Sequence, residues 1–269
     1  MRYFLLAMLT GLVVWSCNSA DTEAADEITR PVTPAIQYSE ENYFFHDISL
    51  YTEGLLVHNG QLFESTGSPD TTRKSLIGIS DLKTGKFIKK VALTDTSIFG
   101  EGIVFFKDKL YQLTYKNKTG FIYDANTFKR TGQFTYANKE GWGLTTDGTN
   151  LIMSDGTDTL TWLDPNSLKP VKKLPVTENG FKRDSLNELE YIKGYIYANV
   201  WVTNNIVKIN PADGKVVGKL DCSSLAMRAA ITRPNCGEMN GIAYDSTSGA
   251  VYVTGKHWPH IYQLKLKLE

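Results

Sequence analysis

The chain has 269 residues, 42% of them hydrophobic and 22% charged, and its 29 basic and 29 acidic side chains leave no formal net charge. That composition excludes a disordered chain, and the charge balance argues against a nucleic-acid binder that relies on bulk positive potential. The 22 glycines, 14 tyrosines and 12 phenylalanines, without long Ala/Glu/Lys/Leu runs, lean towards β-structure.

Met1 and Arg2 precede an apolar run from Tyr3 to Trp15. One positive charge and about 13 apolar residues fit an export signal and fall short of a membrane span. The run closes on Val14-Trp15-Ser16-Cys17, which resembles a bacterial lipoprotein cleavage box. Residues 1–16 then read as a lipoprotein signal peptide and Cys17 as the lipidated N-terminus. A plain secretory cut near Ala20 is the alternative. Residues 17–36 are polar and read as a flexible tether. The expected location is outside the bacterial inner compartment, periplasmic or at the cell surface, with the membrane touched only through the anchor. With Cys17 occupied, Cys222 and Cys236 are left as a pair in an oxidising compartment. A disulfide closing residues 223–235 is expected, with two free thiols as the alternative. No further ligand stands near them at a finger spacing, so zinc is not expected.

From residue 37 onward one pattern recurs. A Gly-containing apolar strand, a tight turn and a second strand begin at EGLLVHNGQLFEST (53–66), EGIVFFKDKLYQLT (101–114), GWGLTTDGTNLIMSD (141–155), NELEYIKGYIYANV (187–200) and NGIAYDSTSGAVYVT (240–254). The turns His58-Asn59-Gly60, Lys107-Asp108-Lys109, Asp147-Gly148, Lys193-Gly194 and Ser246–Gly249 are hairpin signals. Four copies continue into a second hairpin with Asp or Asn before its turn. Aligning Gly54, Gly102, Gly143, Glu188 and Gly241 gives steps of 48, 41, 45 and 53 residues. Such periods, with about four strands each, mean propeller blades. The last copy has three strands, and 36–45 (IQYSEENYFF) can supply the fourth. The fold expected for 37–269 is therefore all-β: a five-bladed β-propeller whose ring is closed by the N-terminal strand. A closed ring is also expected to be a monomer.

Residues before each innermost strand converge on the axis of such a ring. They are Tyr51-Thr52-Glu53, Phe99-Gly100-Glu101, Gly141-Trp142-Gly143, Leu186–Glu190 and Met239-Asn240. A second set follows one hairpin later: Tyr115, Trp201 and Lys256-His257-Trp258. Each aromatic could equally fill space between blades. Glu101, between two glycines and behind Phe99, is harder to explain as packing, because buried charge is costly unless paired or used.

These motifs carry a resemblance to a known family. YTEGL, LFESTG, FGEGI, LYQLTYK, GFIYD, EGWGLTTDG, LIMSDGT, LNELEYI, IYANVW, MNGIAYD and VTGKHWP, in this order, resemble the plant- and bacterial-type glutaminyl-peptide cyclotransferases. The resemblance implies a five-bladed propeller that converts the N-terminal glutamine of peptides or proteins to pyroglutamate, releasing ammonia without a metal or other cofactor. It assigns Glu101 as general acid/base. It places Asn187 and Lys256 as polar pocket residues and Trp142 and Trp201 as aromatic walls, with Tyr51 and Phe99 beside them. Two positions depart from the family pattern: Glu53 stands where glutamine is usual, and Tyr115 where tryptophan is usual. Ionised Glu only accepts hydrogen bonds, whereas Gln also donates. Two other readings compete. One is a non-catalytic, lipid-anchored propeller that binds peptides or proteins. The other is a calcium-dependent lactonase with an oxygen cage drawn from Glu53, Glu101, Asn187 and Asn240.

Overall fold

A computed structural model describes residues 32–267. The expected signal peptide, Cys17 and most of the tether lie outside them. The described chain forms five antiparallel four-stranded sheets around one axis. Their innermost strands are Tyr51–His58, Gly100–Phe106, Leu144–Thr146, Leu186–Ile192 and Met239–Asp245. Four of the five sheets run outward in sequence order, as four consecutive strands joined by tight turns must. Asn59-Gly60 and Lys193-Gly194 are two-residue turns with both residues at positive φ, the hand that matches strand twist. At the second hairpin of blades one to three, Asp81, Asp124 and Asp164 each accept two backbone N–H groups through Oδ1. That explains the recurrent acid before the turn.

Blade five takes its outer strand from the other end of the chain. Tyr38–Phe45 pairs antiparallel with His260–Leu266, closing the ring as the repeat arithmetic expected. Blade faces are apolar and pack on their neighbours, giving one cluster at each of the five blade interfaces. The seam between blades five and one has the smallest cluster, built on Leu55, Leu62, Ala243 and Ile261. A buried polar network supplements it there. His46 Nε2 lies 3.1 Å from both Glu64 oxygens. Thr52 and Ser80 hydroxyls donate to the same carboxylate at 2.7 and 2.6 Å. Burial draws the imidazole pKa down, but the Glu64 charge and hydrogen bond, with the Trp258 carbonyl and the Asp47 charge, together outweigh it and the net shift is upward.

Two expectations need correction. Residues 32–36, assigned to the tether, are pinned to the propeller: Thr33 Oγ1 donates to Glu178 at 2.7 Å and Ile36 N–H to Lys219 O at 2.8 Å. Glu178 is anchored in turn by Arg183 and Lys219. The expected disulfide is absent, and Cys222 and Cys236 are free thiols. The intervening segment is a helix, Ser223–Thr232, and not a loop. The Cys222 thiol stays sealed among Tyr197, Leu225 and Trp258 in the hydrophobic cluster between blades four and five.

At the axis the chain packs too closely for a Cβ on Gly102 or Gly143. A Cβ on Gly102 would lie 2.6 Å from Trp142 O, and one on Gly143 would lie 2.2 Å from Asn187 O. Gly143→Ala is therefore expected to destabilise by about 2–4 kcal/mol. Gly132→Ala, whose Cβ would find nothing nearer than 3.7 Å, should be within about 0.5 kcal/mol of wild type. Thermal unfolding of the two variants checks this; equal melting temperatures would refute the close-packed axis.

Candidate active site

Four of the five innermost strands are irregular at their first residues. The pairing register slips between Thr52 and Gly54, Gly100 and Ile103, Leu186 and Leu189, and Met239 and Ile242. The residues inside these slips are Glu53, Glu101-Gly102, Asn187-Glu188 and Asn240-Gly241. A bulge leaves residues out of the ladder and re-aims their side chains. Here it presents polar groups at one end of the axis.

The second set hangs from the residue that ends the next strand. Tyr115, Trp201 and Lys256 occupy equivalent places in blades two, four and five. Each donates its backbone N–H to the residue just before its blade's inner strand or close to it: Phe99 O at 3.0 Å, Ser185 O at 2.8 Å and Glu238 O at 2.9 Å. The blade repeat thus delivers a phenol, an indole and an ammonium to one rim.

Together these residues line a cavity of about 200 Å³. All nine site residues expected from the sequence face it: Tyr51, Glu53, Phe99, Glu101, Tyr115, Trp142, Asn187, Trp201 and Lys256. Its wall is a chain of aromatic contacts. Tyr51 meets Phe99 at 6.0 Å, Phe99 meets Tyr115 at 5.9 Å, Tyr115 meets Trp142 at 6.5 Å and Trp142 meets Trp201 at 5.5 Å between ring centroids. Trp201 is 40% exposed and marks the mouth. Trp142 is held by its indole N–H, which donates to Glu140 at 3.0 Å.

The floor is ionic. Lys256 Nζ lies 3.0 Å from Glu53 Oε1, and Asn240 Nδ2 donates to Glu53 Oε2 at 3.1 Å and to Thr52 O at 3.1 Å. Glu53 is therefore clamped through both oxygens. Lys256 also sits 4.5 Å from the centre of the Tyr51 ring. Burial pulls the Lys256 pKa down, yet the Glu53 carboxylate, then Tyr51 and Glu101, outweigh it and raise the net value. Burial raises Glu53, with Lys256 pulling the other way. Glu101 is 4% exposed, and its Oε2 is buried without a hydrogen-bond partner. Burial lifts its carboxyl well above the ordinary range, the Glu53 charge adds to the rise, and Lys256 only partly offsets it. Asn187 Oδ1 is also buried and unpartnered. The site thus holds an unsatisfied carboxyl, an unsatisfied amide acceptor and a fixed cation inside an aromatic wall. That set can bind a small polar group and move a proton at it. The oxygen cage weighed for calcium is not assembled, because an ammonium already occupies the place beside Glu53.

Several candidates from the sequence go elsewhere. Glu188 points down the axis, where its two oxygens accept the N–H groups of Leu55 and Ile242. Glu190 accepts the N–H of Tyr244. Trp258 is fully buried and donates to Gly237 O. His257 lies against Tyr51 outside the cavity. One lining residue was missed: Glu238, which precedes the inner strand of blade five. It occupies the place in its blade that Phe99 occupies in the second, so the repeat alignment carried the signal.

Comparison with known proteins points one way. A family model described as glutamine cyclotransferase matches residues 9–266. The chain is 41% identical over 227 residues to a glutaminyl-peptide cyclotransferase of Arabidopsis thaliana, a match covering 83% of this chain and 69% of that protein. It superposes with a TM-score of 0.80 on the crystal structure of the glutaminyl cyclase of Myxococcus xanthus. That likeness has 32% sequence identity and covers 87% of this chain and 98% of the other.

Lys256→Met would leave Glu53 buried without its cation, an expected loss of about 3–5 kcal/mol at pH 7. Glu53→Gln/Lys256→Met should recover part of that loss, because no lone charge remains. The folded Lys256 value is raised, so its stabilisation is complete below the unfolded lysine value of about 10.4. It is lost as pH rises through the folded value. Urea unfolding at pH 7 and above pH 10.4 should show the deficit narrowing.

Proposed function

Because the chain belongs to the glutamine cyclotransferase family, we propose that it converts the N-terminal glutamine of peptides and proteins to pyroglutamate, releasing ammonia. The observation that carries this reading is Glu101: a buried carboxyl whose Oε2 has no hydrogen-bond partner among the described residues and which lines an aromatic cavity. Burying such a group without use is costly.

The reaction needs one residue to fold on itself. The α-amine nitrogen attacks the side-chain amide carbon, forming the ring C–N bond and placing negative charge on the amide oxygen. Glu101 takes the proton from the attacking nitrogen and returns it to the departing one. The old C–N bond then breaks, and neutral ammonia leaves as the carbonyl re-forms. One carboxyl serves both transfers because both nitrogens belong to the same small ring. Lys256 faces the developing oxyanion, where a preorganised cation is most effective. Asn187 Oδ1 accepts an N–H of the amide. The aromatic wall excludes water and holds the side chain bent, which supplies the orientation that makes such cyclisations fast. Glu53, clamped by Lys256 and Asn240, fixes the ammonium and does not itself reach the reacting atoms. Every step uses the chain's own groups, so the proposed activity needs no metal and persists in chelator.

Outside the described residues, the export signal and Cys17 support a second proposal: the mature chain is a monomer held at a bacterial membrane by lipid on Cys17. Cys17→Ser should move it from the membrane to the soluble fraction on cell fractionation, and retention at the membrane would refute it.

The catalytic reading is tested by ammonia release from a short peptide with N-terminal glutamine. Glu101→Gln should lower kcat by about 10²–10⁴-fold with an unchanged melting profile. The productive complex holds one proton between Glu101 and the substrate amine. At low pH both are protonated and the amine cannot attack, so activity falls as pH falls. Because burial raises Glu101, that loss should set in well above the ordinary Glu value of about 4.3. No turnover by folded wild type, across several peptides, would favour a peptide-binding propeller instead.

A further inference from the structure

The cavity is smaller than a typical site for a drug-sized ligand. On the reading above, it takes one glutamine, and the rest of the peptide must leave through the mouth. A second depression, of about 320 Å³, is connected to the cavity by two short chain segments, each of which contributes lining residues to both. On one side the chain runs from Cys236 and Gly237, which line the depression, directly into Glu238, which lines the cavity. On the other side the turn that starts at Trp201, at the mouth, ends at Asn204, in the depression.

Both segments are rigidly held. Gly237 N–H donates to Lys256 O at 2.7 Å, and Gly237 O accepts the Trp258 indole N–H at 3.0 Å. The turn is tied by Thr203 to Val200 O and by Asn204 O to Cys222 N–H. The outer bank is the helix Ser223–Thr232, which turns Ala226, Met227 and Ala230 into the depression. Met227 on this bank is 60% exposed, and Val202, in the turn that leads to Asn204, is 61% exposed. The one charged residue within the helix, Arg228, is paired with Glu40, and the uncovered aliphatic side chains beside the depression call for an apolar occupant.

We propose that this groove is a subsite for the substrate's downstream residues, and that it binds an apolar side chain within the first few positions after the N-terminal glutamine. Its floor is small and apolar, formed by Ala226, Ala230, Cys236 and the buried Trp258. Ser223 and Asn204 at its ends offer hydrogen bonds to an extended peptide backbone. The rest of the chain adds no other requirement: selection would act on side-chain apolarity, not on sequence.

This subsite rests on the cyclotransferase reading, so the test separates the two. Turnover is measured on glutamine amide, which reaches only the cavity, and on peptides carrying Leu or Asp at the second, third or fourth position. The proteins are wild type, Ala230→Trp, which fills the groove, and Met227→Glu, which charges its exposed bank. Neither substituted residue lies in the catalytic cavity. The expected result is a preference of about tenfold or more in kcat/KM for Leu over Asp at one position in wild type, in line with partial burial of one aliphatic side chain. Both variants should lose it, with glutamine amide turnover unchanged. Equal kcat/KM for Leu and Asp at all three positions would overturn the subsite while leaving the catalytic reading intact. So would a preference that survives in both variants. Absence of glutamine amide and peptide turnover in folded wild type would overturn both.

Discussion

Five strands meet at one axis so closely that Gly54, Gly102 and Gly143 have no room for a Cβ, and the rest of the molecule follows from that crowding. Gly54, Gly102 and Gly143 leave neighbouring backbones nearly in contact, and added methyl groups there would overlap backbone or side-chain atoms of the next blade. Backbone groups pressed together this way need partners. Two obtain them across the blades, Gly102 N–H donating to Trp142 O and Gly241 N–H to Asn199 Oδ1, while Gly143 N–H donates to Ser154 Oγ within its own blade. Glu188 closes the circle by accepting N–H groups from blades one and five. The inner strands cannot remain regular under these demands. Their bulges turn Glu53, Glu101, Asn187 and Asn240 towards the axis. Structural crowding and the functional site are thus two consequences of one geometry.

The site is also where the fold stores its electrostatic cost. Glu101 has a buried oxygen without a partner, and Glu53 is buried beside Lys256. Either arrangement alone destabilises a folded chain relative to an apolar replacement. They persist because the ring over-determines them. Each charged group hangs from a strand anchored in an apolar cluster between blades, and the seam next to Glu53 is reinforced by the His46–Glu64 network. A closed ring can carry such a site, since no blade can shift without disturbing two neighbours.

Much of this was legible in the chain itself. Hairpin turns with Asn-Gly, Asp-Gly and Lys-Gly, spaced at steps of 41 to 53 residues, announce repeated four-stranded sheets. Aligning the repeats brings the cavity residues into register without any coordinates. The limits have physical causes. Trp258 and His257 follow Lys256 directly in sequence, yet local backbone direction sends Trp258 into the core and His257 to the outside of Tyr51. Glu188 and Glu190 share a strand with Asn187, but alternate geometry and the bulge turn them down the axis. The helix 223–232 was signalled only by a short Ala-containing stretch, too brief for a periodic pattern to reveal. The disulfide expected from the cysteine count and compartment is replaced by two free thiols flanking that helix. The last residues of the expected tether lie against the propeller because Thr33 finds a buried carboxylate remote in sequence.

The sequence by itself determined the repeat, the number of blades, the closing strand and the residue types that reach the axis. These follow from local rules of turn chemistry, strand alternation and spacing, which need no long-range coordinates. Only the tertiary structure decided which polar groups are paired and which are left unsatisfied. Glu53 meets both Lys256 and Asn240, Glu101 meets no partner through Oε2, and the helical bank lines the second depression. Those relations join residues up to about two hundred positions apart. They depend on angles between blades that no local pattern encodes.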